Sequence, residues 1–158
     1  MTGGKRRTAR EMAVQMLYQS DLGGSPLPHI FSTFDLADYH GGGDLARQRR
    51  RVEDAFEYAQ ALVRGTIDHR EEIDAMIRGQ ADNWRLERMP PVDRNILRLA
   101  IYEMLYEQDT PKLVVVDEAI ELAKKFGGDE SGQFVNGILD AVRKGLGGSE
   151  ETAPDPAG

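Results

Sequence analysis

The sequence predicts an all-α fold, and three observations support this prediction. Apolar residues recur at steps of three and four along most of the chain, the spacing that places them on one face of a helix. Only Leu113 to Val116 resembles a strand, and it has no strictly alternating partner run. The 17 glycines and 7 prolines gather in a few places that separate the periodic segments. We therefore expect about seven helices.

The first helix is expected to begin at Thr8. Thr8 and Glu11 form a capping-box pair, in which a hydroxyl and a carboxylate each satisfy a backbone amide at a helix start. The Gly- and Pro-rich stretch at 23–28 should end this helix. Residues 30–39 predict a short second helix, and Gly41 to Gly43 should break the chain again.

The most regular helical pattern of the N-terminal half runs from Val52 to Ile67. Another helix is expected at 73–81. Pro90 and Pro91 follow it and should separate two helical subdomains, an N-terminal one at about 5–84 and a C-terminal one at about 90–146. The two subdomains together are expected to form a single domain at 1–146, a size that can bury a core without disulfides.

The helix from Val92 to Glu107 is apolar over most of its circumference, so it should be central. The next helix carries Glu121 and Lys125, a favourable pair at four-residue spacing, and two glycines should end it. Residues 147–158 are acidic, contain proline and lack apolar periodicity, which predicts a disordered tail. The last two helices are expected at 114–126 and from about 129–131 to 145.

The chain contains no cysteine, so it has neither disulfides nor thiolate chemistry, and a reducing cytoplasm is the simplest compartment. The N-terminus is basic, but no apolar stretch follows it. The longest aliphatic run is far too short to span a bilayer. We therefore expect a cytoplasmic protein that is neither exported nor inserted in a membrane.

No residue pattern supports an enzyme, a cofactor or a metal site. His29, His40 and His69 are scattered and lack metal-ligand spacing. Phosphate-binding glycine loops and nucleophile elbows are missing. Acidic residues such as Asp117 and Glu121 lie on the outer face of a predicted helix, where a solvated surface is the usual explanation.

The positive charge is concentrated at the N-terminus. The chain carries a net charge of −7, yet residues 1–10 contribute +4 and no acid. Such a segment at the edge of a helix either grips a phosphate backbone or is a solvated tail, and local composition alone favours the tail. A second basic cluster at 47–51 either extends a binding patch or coats the start of the next helix.

The segment from Gly127 to Phe134 combines a turn, polar side chains and an aromatic residue at a helix start. Its backbone amides could meet an anion, and an exposed Phe134 could stack on an unpaired RNA base. The alternative is that Phe134 belongs to the core, which periodicity favours.

Several segments resemble the NusB family of transcription antitermination factors. The N-terminal block reads R-R-T-A-R-E-M-A-V-Q-M-L-Y, and three later blocks follow in the family's order and spacing. The resemblance covers most of residues 5–144. The blocks that carry it are Arg6 to Tyr18, Val92 to Glu103, Asp117 to Gly127, and Phe134 to Asp140.

The resemblance implies a NusB-like helical bundle of two packed subdomains that binds boxA RNA together with NusE, a small-subunit ribosomal protein. Such a complex helps RNA polymerase pass terminators in ribosomal RNA operons, and the resemblance also allows a homodimer. By position, three groups of residues correspond to family sites. These are an arginine-rich RNA-binding segment (Lys5, Arg6, Arg7 and Arg10), a second RNA-contacting region (Glu130, Ser131 and Phe134), and positions near the NusE interface (Tyr18, Glu87 and Asp93).

With a shared ligand implied, RNA binding becomes the favoured role for both the basic segment and Phe134. Gln133 departs from the basic residue found in some relatives, which should weaken phosphate contact in the second region. Two alternatives remain. One is an RNA-recognition module like the NusB-like part of ribosomal RNA cytosine methyltransferases, although no methyl-donor domain follows here. The other is a protein-binding helical scaffold.

Overall fold

The computed structural model of the protein describes residues 3–39, 45–81 and 85–147. Within these ranges the chain forms seven α-helices and no strand, which confirms the all-α prediction. Two 3-10 turns lie in the same ranges, at Ala37–Tyr39 and Leu86–Arg88. The helices are α1 (Gly3–Gly23), α2 (Leu27–Thr33), α3 (Leu45–Asp68), α4 (Arg70–Gln80), α5 (Pro91–Tyr106), α6 (Lys112–Gly127) and α7 (Asp129–Gly145).

The start of α1 differs from the prediction. The helix begins at Gly3, so Thr8 lies inside it and is not its N-cap. The reason is tertiary, because Lys5 and Arg6 of the first turns contact α3. Lys5 Nζ lies 3.7 Å from a carboxylate oxygen of Asp54, and the Arg6 guanidinium lies 5.6 Å from the centre of the Tyr58 ring. The basic residues are therefore part of an ordered helix.

The Gly- and Pro-rich stretch ends α1 at Gly23, as predicted, but it also begins the next helix, which was not expected. Pro26 caps α2 and Pro28 occupies its first turn, where a missing backbone N–H has no cost. The prolines therefore start the short helix, which ends at Thr33 and not near residue 39. Phe34 then stacks between Phe56 of α3, at 5.5 Å between ring centres, and Tyr39, at 6.2 Å. The predicted break at 41–43 lies outside the described residues.

The chain folds into two compact units, Met1–Gly65 and Thr66–Gly158. The division between the two units lies within α3, between Gly65 and Thr66. As a result α4 belongs to the second unit, where it packs against α5 and α7. The first unit has its own core. That core includes Met12, Met16, Ile30, Ala59 and Leu62, none of which is more than 1% exposed.

The core of the second unit surrounds α5, as its apolar circumference predicts. Ile96, Leu97, Leu99 and Ile101 point in different directions around the helix, and each is at most 1% exposed. α6 and α7 pack against each other and against α5. The strand-like run at 113–116 is the first turn of α6, which Pro111 caps. Residues 148–158 of the predicted tail lie outside the described ranges.

Candidate nucleic-acid interface

The N-terminal basic segment (Lys5, Arg6, Arg7 and Arg10) lies on the first two turns of α1, and its members differ in exposure. Arg7 is exposed, while Lys5 and Arg6 are half-buried against α3. A guanidinium or ammonium group needs solvent access to neutralise a phosphate. Arg7 therefore meets this requirement best, and the contacts of Lys5 and Arg6 with α3 hold the segment in place.

Arg10 does not share this accessibility. Its side chain is buried, at 4% exposure, among the core residues of α1. A guanidinium at that depth can hold neighbouring groups in position, but it offers no surface to an RNA phosphate. The inference from family position that Arg10 contacts RNA stays a prediction, and its burial favours a role in holding neighbouring groups in place.

Three arginines of the second basic cluster line a cavity together with Lys5 of the N-terminal basic segment. This basic cavity measures about 780 Å³ and lies within the first unit. Arg47, Arg50 and Arg51 of α3 form one wall, and Lys5 of α1 contributes to the other. Lys5 is the member of the N-terminal basic segment among the described lining residues, so the two clusters meet at Lys5. The other described lining residues are Thr8, Tyr39, Gln48, Val52, Asp54 and Ala55.

The turn between α6 and α7 presents the second predicted RNA-contacting region. Gly128 adopts φ +91°, a backbone conformation that residues other than glycine rarely adopt. The chain turns there between the two helices. Glu130 is exposed at the start of α7, Ser131 is half-buried, and Phe134 is half-buried one turn later. Phe134 is therefore neither a fully buried core residue nor a fully exposed ring.

Two carboxylates modify what this helix start can bind. Asp129 and Glu130 lie in the first turn of α7, where they interact favourably with the helix dipole. The same charges repel a phosphate. The backbone amides of this turn are thus a poor anion site, and the partly exposed Ser131 and Phe134 are better suited to contact with bases.

Asp93 holds this turn through a contact with Ser131 on its buried side. It is only 3% exposed, and burial raises the pKa of its carboxyl group, whereas a hydrogen bond with Ser131 lowers it. A Cβ on Gly127 would overlap the Ser131 hydroxyl and come within 3.5 Å of Asp93 Oδ1. Asp93, Ser131 and Gly127 therefore pack tightly, and Asp93 positions Ser131.

The other positions inferred to lie near a partner are accessible. Tyr18 is 39% exposed on α1, and Glu87 is exposed on the 3-10 turn before α5. Sequence reasoning missed Arg94, which holds that turn. Its Nη1 donates to the carbonyl oxygens of Leu86, at 3.3 Å, and of Glu87, at 3.2 Å. Arg94 thereby fixes the backbone that carries the Glu87 side chain.

Neither a metal cluster nor a membrane span is found in the described residues. No group of three or more His, Asp or Glu side chains there could hold a metal ion. Across 3–39, 45–81 and 85–147, no helix combines the length and hydropathy of a membrane span.

Comparison with known proteins places these features in a family. A model of the NusB family matches residues 7–144. The chain is 48% identical over 140 residues to the transcription antitermination protein NusB of Trichlorobacter lovleyi, covering 88% of this chain and 90% of that protein. It is 42% identical over 144 residues to the NusB of Myxococcus xanthus, covering 90% and 97%.

Solved structures agree. The fold matches a crystal structure of the antitermination factors NusB and NusE in complex with dsRNA, with a TM-score of 0.71 and 29% identity over 91% of this chain and 99% of that one. It also matches T. maritima NusB, with a TM-score of 0.67 and 36% identity over 88% and 90%. From the family match over most of its length, the chain belongs to the NusB family.

Proposed function

We propose that this protein is a transcription antitermination adaptor that binds boxA-type RNA of nascent ribosomal RNA transcripts together with NusE. The observation that carries the proposal is the ordered basic face at the start of α1, in a chain that belongs to the NusB family. A similar NusB has been solved with NusE and dsRNA, which supports both partners. The adaptor acts in the cytoplasm and helps RNA polymerase read through terminators.

The two proposed RNA-contacting regions differ in chemistry and therefore in the part of the RNA that each would bind. Arg7, with Lys5 and Arg6 beside it, supplies positive charge and therefore sequence-independent affinity for phosphates. Ser131 and the half-buried Phe134 offer a hydroxyl and an aromatic ring, which can contact bases by hydrogen bonding and stacking. Glu130 beside them disfavours phosphate, so that region adds selectivity more than affinity.

NusE, a ribosomal protein, is expected to bind the acidic part of the surface. The chain outside residues 1–10 carries a net charge of −11, since the whole chain carries −7 and the segment +4. Opposite charges steer association, so this acidic surface suits a basic ribosomal protein. Exposed Glu87 and Tyr18 are the contacts we assign to this interface, with Asp93 acting indirectly through its buried position. Asp93 is buried within the second unit, so its place near the NusE interface stays a prediction from family position.

Fluorescence anisotropy of a labelled boxA RNA tests this function. We expect the protein to bind boxA more tightly than a scrambled RNA, and NusE to increase that selectivity. Arg7→Gln should weaken binding of both RNAs, since it removes a phosphate contact. Arg78→Gln removes the same charge from exposed α4 and serves as the matched control. Equal affinity for the two RNAs, with and without NusE, would leave a protein-binding scaffold as the better description.

A homodimer is a separate proposal. Sedimentation of the protein alone and with boxA RNA tests whether it self-associates and whether RNA dissociates the dimer. A single monomeric species at all concentrations would rule the homodimer out.

A further inference from the structure

The basic cavity of the first unit is not explained by the RNA contacts proposed above. Arg47, Arg50 and Arg51 are spaced by three and four residues, which brings their side chains to one face of α3. Arg49 lies between them in sequence but does not line the cavity. The helical spacing therefore selects three of the four arginines of the cluster for the cavity wall.

The cavity is strongly positive. Its described lining contains four cationic side chains, from Lys5 and the three arginines, and one carboxylate, Asp54. Asp54 is paired with Lys5 at 3.7 Å, so it offsets one charge and ties α1 to α3. The cationic side chains of the described wall thus outnumber its one carboxylate, and an anionic ligand suits such a surface.

The other wall residues are held in place by the core and by hydrogen-bonding and stacking contacts. Val52 and Ala55 are 5% and 1% exposed, so the base of the α3 wall is anchored in the core. Tyr39 is held by a hydrogen bond from the Gln15 side chain and by stacking on Phe34. A tyrosine beside arginines offers a ring on which a base can stack, as proteins that bind single-stranded nucleic acid commonly do.

The size of the cavity also points to a ligand larger than a single phosphate. At about 780 Å³ it falls in the range that accommodates a drug-sized molecule, and a nucleotide is of that size. Arginine is suited to bidentate contact with phosphate oxygens. Lys5 belongs both to the N-terminal basic segment and to the cavity wall, so an RNA strand gripped by the segment can continue into the cavity.

We propose that the basic cavity binds the phosphodiester backbone of the RNA that flanks the boxA segment, so that this protein contacts a longer RNA than boxA alone. This inference rests on the proposed RNA-binding function. The phosphates bind Arg47, Arg50 and Arg51, and a flanking base stacks on Tyr39. The phosphate contacts are independent of sequence, because every nucleotide carries the same phosphodiester group.

The test compares a minimal boxA RNA with the same RNA extended by unstructured nucleotides on the 5′ or the 3′ side. For the unaltered protein, one extension should tighten binding and steepen the salt dependence by about 0.7 in log–log slope for each added phosphate contact. The double variant Arg50→Gln/Arg51→Gln should lower the slope for the extended RNA by about 1.4 and leave the minimal RNA unaffected.

Arg49→Gln is the matched control, because it removes the same charge from the same turn of α3 without touching the cavity. Each single variant, Arg50→Gln and Arg51→Gln, is compared with it, and circular dichroism checks that all three fold. A larger loss in the cavity variants than in the control, seen only with the extended RNA, supports the proposal. An equal loss in all three would show that only diffuse charge matters and would overturn it.

Two further outcomes keep the proposals distinct. If the minimal RNA is bound selectively but neither extension changes affinity or salt slope, the cavity proposal fails and the adaptor function stands. If the minimal RNA shows no selectivity over a scrambled one, the proposed function itself fails. Calorimetry with a nucleoside diphosphate alone separates a free nucleotide from RNA. Binding of that nucleotide that depends on Arg50 and Arg51, without any effect of RNA extension, would replace the RNA flank with a small-molecule ligand.

Discussion

Asp74 of α4 and Arg98 of α5 form a buried ion pair with two contacts. Arg98 Nε lies 2.8 Å from Asp74 Oδ1, and Nη2 lies 3.2 Å from Oδ2. The Arg98 side chain also donates to Asn95 at 3.1 Å, and Asn95 donates to the carbonyl oxygen of Pro91. This network ties α4 to α5 and explains why α4 belongs with the C-terminal helices.

We predict that Asp74→Asn destabilises the protein by about 3–5 kcal/mol, because it leaves the Arg98 charge buried without a full counter-charge. Urea unfolding measures the change. Glu71→Gln, an exposed acid on the same helix, should stay within about 0.5 kcal/mol of the unaltered protein. The double variant Asp74→Leu/Arg98→Met should recover much of the loss, since it removes both charges. A loss no larger than that of the Glu71 variant would contradict the prediction.

A pH dependence is predicted for Asp93. Burial raises the pKa of its carboxyl group in the folded state above the ordinary value of 3.8. The stability it contributes is therefore present below pH 3.8 and lost as pH rises through the folded pKa. Asp93→Asn cannot ionise. Between pH 3.8 and the folded pKa, the free energy of unfolding of Asp93→Asn should therefore increase relative to that of the unaltered protein. Above the folded pKa the difference between the two should be constant.

The measurement for Asp93 is a series of urea unfolding curves from acidic to neutral pH. Asp117→Asn, at an exposed position on α6, controls for the loss of a charge. The difference between the Asp93 variant and the unaltered protein should change with pH in the acidic range. A difference that is constant with pH, or one that falls as pH rises, would show that burial of the carboxylate is not the controlling effect.

The turn between α6 and α7 should not tolerate a side chain at Gly127. In Gly127→Ala the new Cβ would overlap the Ser131 hydroxyl and lie 2.8 Å from Ser131 Cβ, so the start of α7 must move. We expect a loss of about 1–3 kcal/mol from this overpacking. Binding of boxA RNA should weaken as well, because Ser131 and Phe134 are displaced. Urea unfolding and anisotropy measure the two effects.

Gly137→Ala is the matched control for this prediction. Gly137 lies within α7, and a Cβ there meets nothing within 4 Å. Alanine should therefore stabilise the helix by about 0.5–1 kcal/mol without changing the affinity for boxA RNA. Adding Ser131→Gly to Gly127→Ala removes both close contacts and should recover part of the lost stability, since it also removes the hydrogen bond with Asp93. If Gly127→Ala alone proves as stable as the unaltered protein, the tight packing of this turn is not required.

Arg7 and Arg10 are predicted to respond in opposite ways. Arg7→Gln should leave stability within about 0.5 kcal/mol, since the side chain is exposed. It should also lower the salt slope of RNA binding by about 0.7. Arg10→Gln should cost about 1–3 kcal/mol, since it disrupts a buried polar group. Urea unfolding and RNA titrations at several salt concentrations separate the two. If both variants reduce the salt slope equally, Arg10 contacts an RNA phosphate and the prediction is wrong.

The sequence predicts well the helices that have strong periodicity. α5, α6 and α7 lie close to their expected positions, because each buries a continuous apolar face that leaves a regular trace in the sequence. The pairing of Arg98 with Asp74 leaves no such trace. The two residues are 24 positions apart, and no local pattern relates them.

The local rules fail where tertiary contacts outweigh them. A capping-box pattern at Thr8 predicts a helix start, yet contacts of Lys5 with Asp54 and of Arg6 with Tyr58 hold the helix from Gly3. The candidate site shows the same limit. The sequence presents the basic residues of α1 and α3 as two clusters, and only the packing of α1 beside α3 places Lys5 and Arg50 around one cavity.

By itself the sequence determined the all-α class, the family and the residues that carry positive charge, because periodicity, motifs and composition are local properties of the chain. The tertiary structure alone decided that Arg10 is buried while Arg7 is exposed. It also decided that Asp93 supports Ser131 from the interior and that α4 packs with α5. Burial and pairing depend on which helices meet, and that is settled by the packing of residues far apart in the chain.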